Sequence, residues 1–337
     1  MILLTGGLGY IGSHAATLLA KQGLDFIILD NLSNSKIDVL TRLEKITGKP
    51  IQFIHGDIRD RALLDQLFKN NPIQAVIHFA GLKAVGESME KPLEYFDCNI
   101  HGSITLFEAM AEASIHKLVF SSSATVYGEN DNPELVETMP TAMPTNNYGY
   151  TKLVIEQMLE KLAIANSRWS IAILRYFNPI GAHPSGLIGE DPQGIPNNLL
   201  PFVAKVATGE LPILNVFGDD YPTPDGTAIR DYIHVMDLVD GHIKALDYIQ
   251  NKSGCFIWNL GTGKGSSVLE IIENFEKVTG QKVPYQIAPR RAGDITACWA
   301  NPEKSKHELD WQAHFSLEQM IEDLWRWTMP NKKEERI

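Results

Sequence analysis

The sequence predicts an α/β fold in which a doubly wound parallel sheet is followed by a smaller, loop-rich α/β domain. Through the first half of the 337 residues, short β-rich runs alternate with longer helical patterns, as in repeated βαβ units. These runs are apolar with little alternation, which is typical of strands covered by helices on both faces. A glycine cluster from Gly6 to Gly12 directly follows the first run. Together these observations favour an open parallel sheet with a ligand at the carboxyl ends of its strands.

The predicted elements of the first half follow each other in regular order. Six strands are predicted, at residues 2–5, 26–30, 51–55, 75–79, 118–122 and 170–175. Helices are predicted between them, at residues 11–22, 36–47, 61–70, about 92–113, and 148–166.

The composition changes after Arg175. Residues 178–225 are rich in Pro, Gly and Asn, which predicts long functional loops rather than a second layered sheet. We therefore expect a nucleotide-binding domain over 1–177, to which 228–258 is a candidate to return, and a substrate-binding domain over 178–337. The spacing of apolar residues from 317 to 328 predicts a last helix with ordinary core packing, followed by a frayed charged tail.

Composition also narrows the classes of partner. The chain carries 30 Lys plus Arg against 41 Asp plus Glu, a net charge of −11, so bulk electrostatics disfavour nucleic acid and anionic membranes. A phosphorylated ligand can still bind in a local basic pocket. Three widely separated cysteines and ten histidines show neither a disulfide framework nor metal-ligand spacing, so no metal is expected. No apolar stretch reaches the ~18 residues that span a bilayer, and a cytoplasmic location is expected.

The glycine cluster has the spacing of a dinucleotide site. Gly6, Gly9 and Gly12 permit a tight turn and let backbone N–H groups reach a pyrophosphate at a helix N-terminus. Glycine triplets also occur in plain turns, so the pattern matters because a strand precedes it and a helix follows it. It predicts that the sheet is a Rossmann fold.

Asp30 indicates which dinucleotide binds. It ends the second strand 18 residues after Gly12, where a carboxylate accepts from the adenosine ribose hydroxyls and repels a 2′-phosphate. No Arg or Lys follows until Lys36, so NAD is favoured over NADP. The alternative is a solvated Asp that caps a turn before Asn31. Asp57 and Ile58 follow the third strand. They can hold the adenine, and the alternative is that Asp57 is a solvated residue.

Tyr148 and Lys152 form a candidate catalytic pair. They lie four residues apart at the start of a predicted helix and so project from one face. A nearby ammonium, a helix N-terminus and a cationic nicotinamide all favour phenolate, so we expect a lowered pKa for Tyr148 and a role as general base. A surface pair is the alternative for such spacing taken alone. A serine run, 121–123, ends the fifth strand, and a hydroxyl there can share a hydrogen bond with the substrate and Tyr148.

Several motifs resemble those of a known family. TGGLGYIG (5–12), FAGLK (79–83), SSSATVYG (121–128) and YGYTK (148–152) resemble the extended short-chain dehydrogenase/reductase family. Within it, RYFNP (175–179), GAHPSG (181–186), GEDP (189–192), PNNL (196–199) and RDYIHV (230–235) resemble the UDP-glucose 4-epimerases. The resemblance runs through nearly all of residues 1–327.

The resemblance implies roles for individual residues. Tyr148 is implied to be the base, Lys152 its electrostatic partner and ribose ligand, and Ser123 the substrate-orienting hydroxyl. The implied cofactor-binding residues are Gly6, Gly9, Tyr10, Ile11, Gly12, Asp30, Asn31, Asn34, Asp57, Ile58, Phe79, Ala80, Gly81, Lys83, Asn99, Tyr148, Lys152 and Phe177. The implied substrate-binding residues are Lys83, Ser123, Tyr148, Asn178, Asn198, Leu199, Asn215, Phe217, Arg230, Arg291, Asp294 and Cys298.

The implied reaction is reversible inversion at carbon 4 of a UDP-hexose, with transient hydride transfer to bound NAD and a 4-keto intermediate. UDP-glucose and UDP-galactose are the implied pair, and a homodimer through helices 92–113 and 148–166 is implied. Cys298 borders the sugar pocket where some family members carry Tyr, so room for the N-acetylated pair is expected. One departure is Cys98, which stands where the family often carries the first Asn of an Asn-Asn pair.

Two rival functions stay open at this stage. Nucleotide-sugar 4,6-dehydratases and UDP-glucuronate decarboxylases of the same family place a carboxylate just after the fifth strand, where this chain has Ala124 and Thr125. A non-catalytic NAD-binding sensor is the rival of another class, and the intact Tyr148 and Lys152 disfavour it.

Overall fold

The computed structural model describes residues 1–192, 196, 198–291 and 293–329. In these residues the strands are β1 Ile2–Thr5, β2 Phe26–Asp30, β3 Gln52–His55, β4 Ala75–His78, β5 Lys117–Ser121, β6 Glu134–Leu135, β7 Ser170–Tyr176, β8 Asn178–Ile180, β9 Leu214–Phe217, β10 Ile229–His234, β11 Gly254–Leu260, β12 Gly265–Ser267, β13 Tyr285–Ala288 and β14 Ala297–Ala300. The helices are α1 Tyr10–Lys21, α2 Asp38–Thr47, α3 Arg61–Asn70, α4 Val85–Glu90, α5 Pro92–Tyr95, α6 Gly102–Glu112, α7 Asn147–Ala165, α8 Leu199–Ala207, α9 Val235–Ile249, α10 Val268–Thr279, α11 Glu303–Leu309 and α12 Leu317–Thr328.

A parallel sheet of seven strands organises the first half of the chain. Its order is β11-β7-β5-β4-β1-β2-β3, and every neighbouring pair is parallel. The chain therefore runs outward from β1 to β3, then returns to the other side of β1 with β4. This reversal of strand order leaves a crevice at the carboxyl ends of β1 and β4, where open α/β sheets bind their ligands. The predicted Rossmann sheet is confirmed.

The sheet is covered on both faces, as its apolar strands predict. Along each strand, alternate residues join two different cores: Leu4 and Ile28 pack in a cluster with residues of α1 and α9. Leu3 and Ile27 pack in another cluster with residues of α3, α6 and α7. Removing this apolar surface from water is the main stabilisation of such a layered fold.

The second half forms smaller sheets around a third core. Strands β12-β10-β14-β6 form one sheet, with β8 also paired to β10, and β13 pairs with β9. Helices α8, α10 and α12 supply most of this core. The expectation of loops alone over 178–225 is therefore wrong for β8, α8 and β9. Because the partners of β8 and β9 lie far along the chain, local sequence signals did not reveal these short strands.

Segment 228–258 is divided between the two halves. Strand β10 belongs to the small sheet, whereas α9 packs against α1 and β11 pairs with β7 at the edge of the large sheet. The exact domain division stays a prediction.

The helix expected over about 92–113 is not regular. It consists of α5, a π-helical turn over Phe96–His101, and α6, and α4 precedes it. Such π turns occur often at functional sites because they re-aim side chains. The frayed tail expected after Pro330 lies outside the described residues. Within the described part of the chain, no helix combines the length and apolarity needed to cross a bilayer.

Three buried histidines make the fold sensitive to acid. His14, His78 and His242 are at most 1% exposed, and burial lowers the pKa of the first two to about 3 and of the third to about 4. Unfolded histidine titrates near ~6.5. The unfolded chain therefore binds more protons than the native protein below about pH 6.5, and stability falls as the pH falls through that window.

We expect the free energy of unfolding in urea to decrease steadily from pH 7 to pH 5, with net uptake of protons on unfolding. A urea midpoint that is the same at pH 7 and pH 5 would contradict the prediction.

Candidate active site

The crevice at the carboxyl ends of the parallel strands is a deep cleft shared by both halves of the chain. The first half contributes the glycine loop, the end of β2, the loop after β4 and the start of α7. The second half contributes residues 178–179, 188–192 and Asn198. A ligand in this cleft would therefore contact both sheets.

The glycine loop brings β1, α1 and the loop after β4 into direct backbone contact. A Cβ on Gly12 would lie 2.3 Å from the Gly6 carbonyl oxygen, and one on Gly6 would lie 2.7 Å from the amide nitrogen of Ala80. Gly6 also has a φ of +68°, which favours glycine. Helix α1 begins here with no side-chain cap and no acid in its first turn. Its free N–H groups therefore form an anion site that fits a pyrophosphate.

Asp30 is built into this loop rather than solvated. It is 7% exposed, and its Oδ2 accepts from the Leu8 amide at 3.0 Å. Its Oδ1 accepts from the Leu32 amide and the Ser35 hydroxyl. The carboxylate thus supports the glycine loop, and it still lines the cleft where a ribose would lie.

The neighbouring wall is formed by Asn31 and Asp57. The Asn31 amide donates to Asp57 Oδ2 at 2.8 Å. A hydrogen bond from Arg59 is the main cause that holds the pKa of Asp57 well below its usual range. Asp57 is therefore an anionic acceptor at neutral pH.

Tyr148, Lys152 and Ser123 meet at one side of the cleft. Helix α7 is capped by Asn146, whose side chain accepts from the Gly149 amide at 2.8 Å, and this cap fixes the first turn that carries Tyr148. The Lys152 Nζ lies 5.9 Å from the centre of the Tyr148 ring. It donates to the Ser121 carbonyl oxygen at 2.7 Å. The arrangement can bind and orient an alcohol beside a phenol.

The acidity of this pair differs from the sequence-based expectation. Burial raises the pKa of Tyr148 to about 12, although a hydrogen bond with Ser123 opposes the rise. Burial also lowers the pKa of Lys152 to about 8. The expected lowering of the Tyr148 pKa is wrong for the protein alone, because the phenol is desolvated and the ammonium is directed to Ser121. A further positive charge in the cleft is needed to favour phenolate.

Nearly all residues implied for the cofactor line this cleft. They are Gly6, Gly9, Tyr10, Ile11, Gly12, Asp30, Asn31, Asn34, Asp57, Ile58, Phe79, Ala80, Gly81, Lys83, Tyr148, Lys152 and Phe177.

Asn99 does not reach the cleft. It is 2% exposed, and its amide is held by the backbone of Leu82 and the Thr151 hydroxyl. Cys98, its neighbour in the π turn, lines the cleft instead.

Among the cleft-lining residues that the sequence did not single out as site residues are Trp327 and Glu190. The predicted core packing of α12 is confirmed, and Trp327 at its end also lines the cleft. The separation of Trp327 from the glycine loop along the chain left no local signal. The Glu190 side chain is 5% exposed, and its Oε1 accepts from both Lys83 and Asn198 at 2.7 Å.

The residues implied for the substrate fall into two groups. Lys83, Ser123, Tyr148, Asn178 and Asn198 line the cleft. The other implied residues, Leu199, Asn215, Phe217, Arg230, Arg291, Asp294 and Cys298, lie in the second half of the chain.

The second group centres on two arginines. The Arg291 guanidinium lies 4.8 Å from the centre of the Phe217 ring and donates to Asp294 at 2.9 Å. Arg230 lies 4.0 Å from the same carboxylate, and it is aligned with Cys298 across β10 and β14. We call Phe217, Arg230, Arg291, Asp294 and Cys298 the arginine cluster.

The arginine cluster and the cleft are joined by packing. Cys298 belongs to the same buried apolar cluster as Phe177, which lines the cleft. Asn215 and Leu199 have other contacts. The Asn215 side chain accepts a hydrogen bond from Gln286. Leu199 begins α8 and packs against the third core. Among the described residues, no group of three or more His, Cys, Asp or Glu is arranged to hold a metal ion.

The chain matches known proteins over nearly its whole length. The family model described as GDP-mannose 4,6 dehydratase matches residues 3–324. The UDP-glucose 4-epimerase of Bacillus subtilis is 55% identical over 330 residues, which are 98% of this chain and 97% of that protein.

Solved structures agree closely. A UDP-glucose 4-epimerase from Stenotrophomonas maltophila, with bound NAD and formylated UDP-arabinopyranose, has a TM-score of 0.95 and 51% identity over 97% of both chains. One from Bifidobacterium longum, in complex with NAD⁺ and UDP, has a TM-score of 0.95 and 50% identity over 100% of this chain and 99% of that chain.

Gly12→Ala should strongly weaken dinucleotide binding. The added methyl group overlaps the Gly6 carbonyl, so α1 must move away from β1 and its N–H groups leave the anion site. We expect at least a tenfold loss in affinity, measured by titration calorimetry with NAD.

Gly86→Ala is the matched control, because Gly86 lies in helix α4 with open space around a Cβ. It should bind as the parent does, with equal or greater stability. Equal affinity of both variants would disprove the close-approach argument.

Proposed function

The chain belongs to the UDP-glucose 4-epimerase family of extended short-chain dehydrogenases/reductases, and we propose that it interconverts UDP-glucose and UDP-galactose by reversible inversion at carbon 4. It is an NAD-dependent enzyme that acts on UDP-sugars. The observation that carries the proposal is the meeting of Tyr148, Lys152 and Ser123 beside a glycine-lined dinucleotide cradle. NAD, when bound, supplies a reversible hydride acceptor, so that oxidation and reduction at one carbon leave no net redox change.

The cofactor fits the residues that are present. The N-terminus of α1 offers its free N–H groups to the pyrophosphate, and only glycine at positions 6 and 12 leaves room for that approach. Asp30 is proposed to accept from the ribose hydroxyls. Tyr10, Asp57 and Lys83 are proposed to complete the site, with the other cleft-lining residues named above.

Tyr148 is proposed to move the proton. It would take the proton of the carbon 4 hydroxyl, leaving a 4-keto sugar once the hydride has departed, and would return the proton in the reverse step. In the protein alone burial keeps its pKa at about 12, so the ammonium of Lys152 and the cationic nicotinamide together must favour the phenolate. Ser123 is proposed to orient the hydroxyl.

Substrate affinity is proposed to come mainly from the UDP part. Arg230 and Arg291 present forked donors that suit a diphosphate, and Asn178 and Asn198 are proposed to support it from the cleft. The hexose must turn between the two half-reactions to present its other face. Weak contacts to the sugar and strong contacts to UDP satisfy both requirements.

Three broader proposals accompany this function. We propose a nucleotide-binding domain of residues 1–177 with α9 and β11, and a substrate-binding domain formed by the remainder. A homodimer through α5, α6 and α7 is proposed because Leu93, Ile104 and Ile164 expose large apolar side chains there. A cytoplasmic location is proposed, since both UDP-hexoses and NAD are cytoplasmic metabolites.

The direct test is incubation with UDP-glucose, followed by identification of the product sugar and of the nucleotide released on denaturation. UDP-galactose and bound NAD are expected. A 4-keto-6-deoxy or decarboxylated product would favour the dehydratase or decarboxylase alternatives. Bound NAD without any turnover would favour a sensor.

Tyr148→Phe should abolish turnover while sparing both ligands. We expect a loss well beyond the ~10²–10⁴-fold typical of one acid–base group, because the variant lacks the phenol proposed to take that proton. NAD content and UDP affinity should stay within twofold of the parent. Activity within tenfold of the parent would refute the role of Tyr148.

Cys298→Tyr tests a proposed second substrate pair, UDP-N-acetylglucosamine and UDP-N-acetylgalactosamine. Cys298 is 7% exposed in the arginine cluster, and a phenol ring there would fill space needed by the N-acetyl group, since close-packed protein tolerates little overlap. The variant should lose the N-acetylated activity and keep the plain one. Cys298→Ala, which leaves the space open, should keep both. A parent that rejects UDP-N-acetylglucosamine would overturn the proposal.

A further inference from the structure

Tyr221 lies beside the arginine cluster with a hydroxyl that has no partner. The residue is 4% exposed, and its Oη is enclosed without a hydrogen bond. Leaving a buried hydroxyl unpaired costs about 1–3 kcal/mol, so native proteins rarely tolerate one without a function or a bound partner.

The loop around Tyr221 holds the ring firmly. The Tyr221 amide donates to the Gly226 carbonyl at 2.9 Å, and the Tyr221 carbonyl accepts from Thr223 at 2.8 Å. Gly218 has a φ of +84°, and a Cβ there would lie 2.6 Å from the tyrosine ring. The Arg290 guanidinium stacks 3.9 Å from the ring centre, and Asp220 fixes that guanidinium. The direction of the hydroxyl is therefore set before any ligand binds.

The surroundings of the hydroxyl favour an anion. Burial is the main cause that raises the pKa of Tyr221, and the negative charge of Asp294 adds to the rise. The positive charges of Arg290, Arg230 and Arg291 oppose it. Three guanidinium groups and one carboxylate thus act on the hydroxyl. This local excess of positive charge contrasts with the net charge of −11 for the whole chain. A neutral O–H donor beside the arginines would add a hydrogen bond to an anion that they attract.

The two arginines of the arginine cluster, which both influence Tyr221, can change partners. Arg291 is 55% exposed and is paired with Asp294 three residues away, and Arg230 lies at the 4.0 Å limit from that carboxylate. Partly exposed pairs of this kind contribute about 0–1 kcal/mol. A diphosphate carries more charge than one carboxylate and can draw both arginines away from Asp294.

We infer that the Tyr221 hydroxyl donates a hydrogen bond to a diphosphate oxygen of the UDP-sugar, as a binding residue beside Arg230 and Arg291. This inference rests on the proposed function, since it takes the arginine cluster as the UDP site. The tyrosine lies on the substrate side and has no part in the proton transfer at carbon 4. Its contribution should therefore appear in substrate affinity and not in the rate of the chemical step.

Tyr221→Phe, with UDP as the calorimetric probe, tests the inference. We expect the Kd of UDP to rise roughly 10- to 100-fold, as for one hydrogen bond to a charged group. The KM for UDP-glucose should rise with it, while kcat and NAD content stay within twofold. The melting temperature of the variant without UDP should be unchanged or higher, because the substitution removes an unpaired buried hydroxyl.

Tyr285→Phe is the matched control, since Tyr285 is 45% exposed on the neighbouring strand β13, and it should alter none of these values. Uridine, measured as a competing ligand, should lose no affinity through Tyr221→Phe, because it lacks phosphate.

Three results would overturn the inference: a UDP Kd within twofold of the parent, an equal loss for uridine, or weaker binding accompanied by a clearly lower melting temperature. A parent protein that binds UDP but does not epimerise UDP-glucose would count against the proposed function alone.

Discussion

Burying a phenol and an ammonium together at the side of a cleft disfavours the charged form of each, because each loses its hydration. Tyr148 and Lys152 are both buried, and much of the surrounding structure compensates for this. The Lys152 ammonium is satisfied by a backbone carbonyl. One turn later on α7, the buried Glu156 pairs with Arg175 of β7 and accepts from Ser122. Helix α7 is thereby attached to β7 and to the residue that follows β5, beside the cleft.

Tyr148 and the arginine cluster differ in when they carry charge. Burial keeps the pKa of Tyr148 at about 12 in the protein alone, which under the proposed function suits a proton transfer that occurs only after the cationic cofactor has bound. The arginine cluster instead carries its charge permanently, since guanidinium does not lose its proton in proteins. Asp294 and Glu190 hold the cationic groups of the site in the absence of substrate. An acidic protein can in this way concentrate positive charge at one place.

The sequence was informative where a local rule was sufficient. Strands β1 and β2 have the predicted bounds because apolar runs end at a glycine cluster and at Asp30, and α3 was predicted from its own amphipathic spacing. Prediction failed where the cause lay at a distance. The strands that pair with β8 and β9 come later in the chain. The π turn places Cys98, and not Asn99, at the cleft, and this turn has no simple sequence signature. The acidity of Tyr148 depended on burial, which a spacing of four residues does not report.

The edge of the large sheet has a consequence for how the chain acquires its structure. Strand β7 pairs with β5 on one side and on the other with β11, which is synthesised about eighty residues later. A chain that leaves the ribosome N-terminus first therefore exposes the free backbone groups of β7 until that last strand arrives. Open edges of this kind are the usual starting points of intermolecular pairing. The return of β11 thus completes the sheet and pairs the free side of β7, which leaves β11 and β3 as its edges.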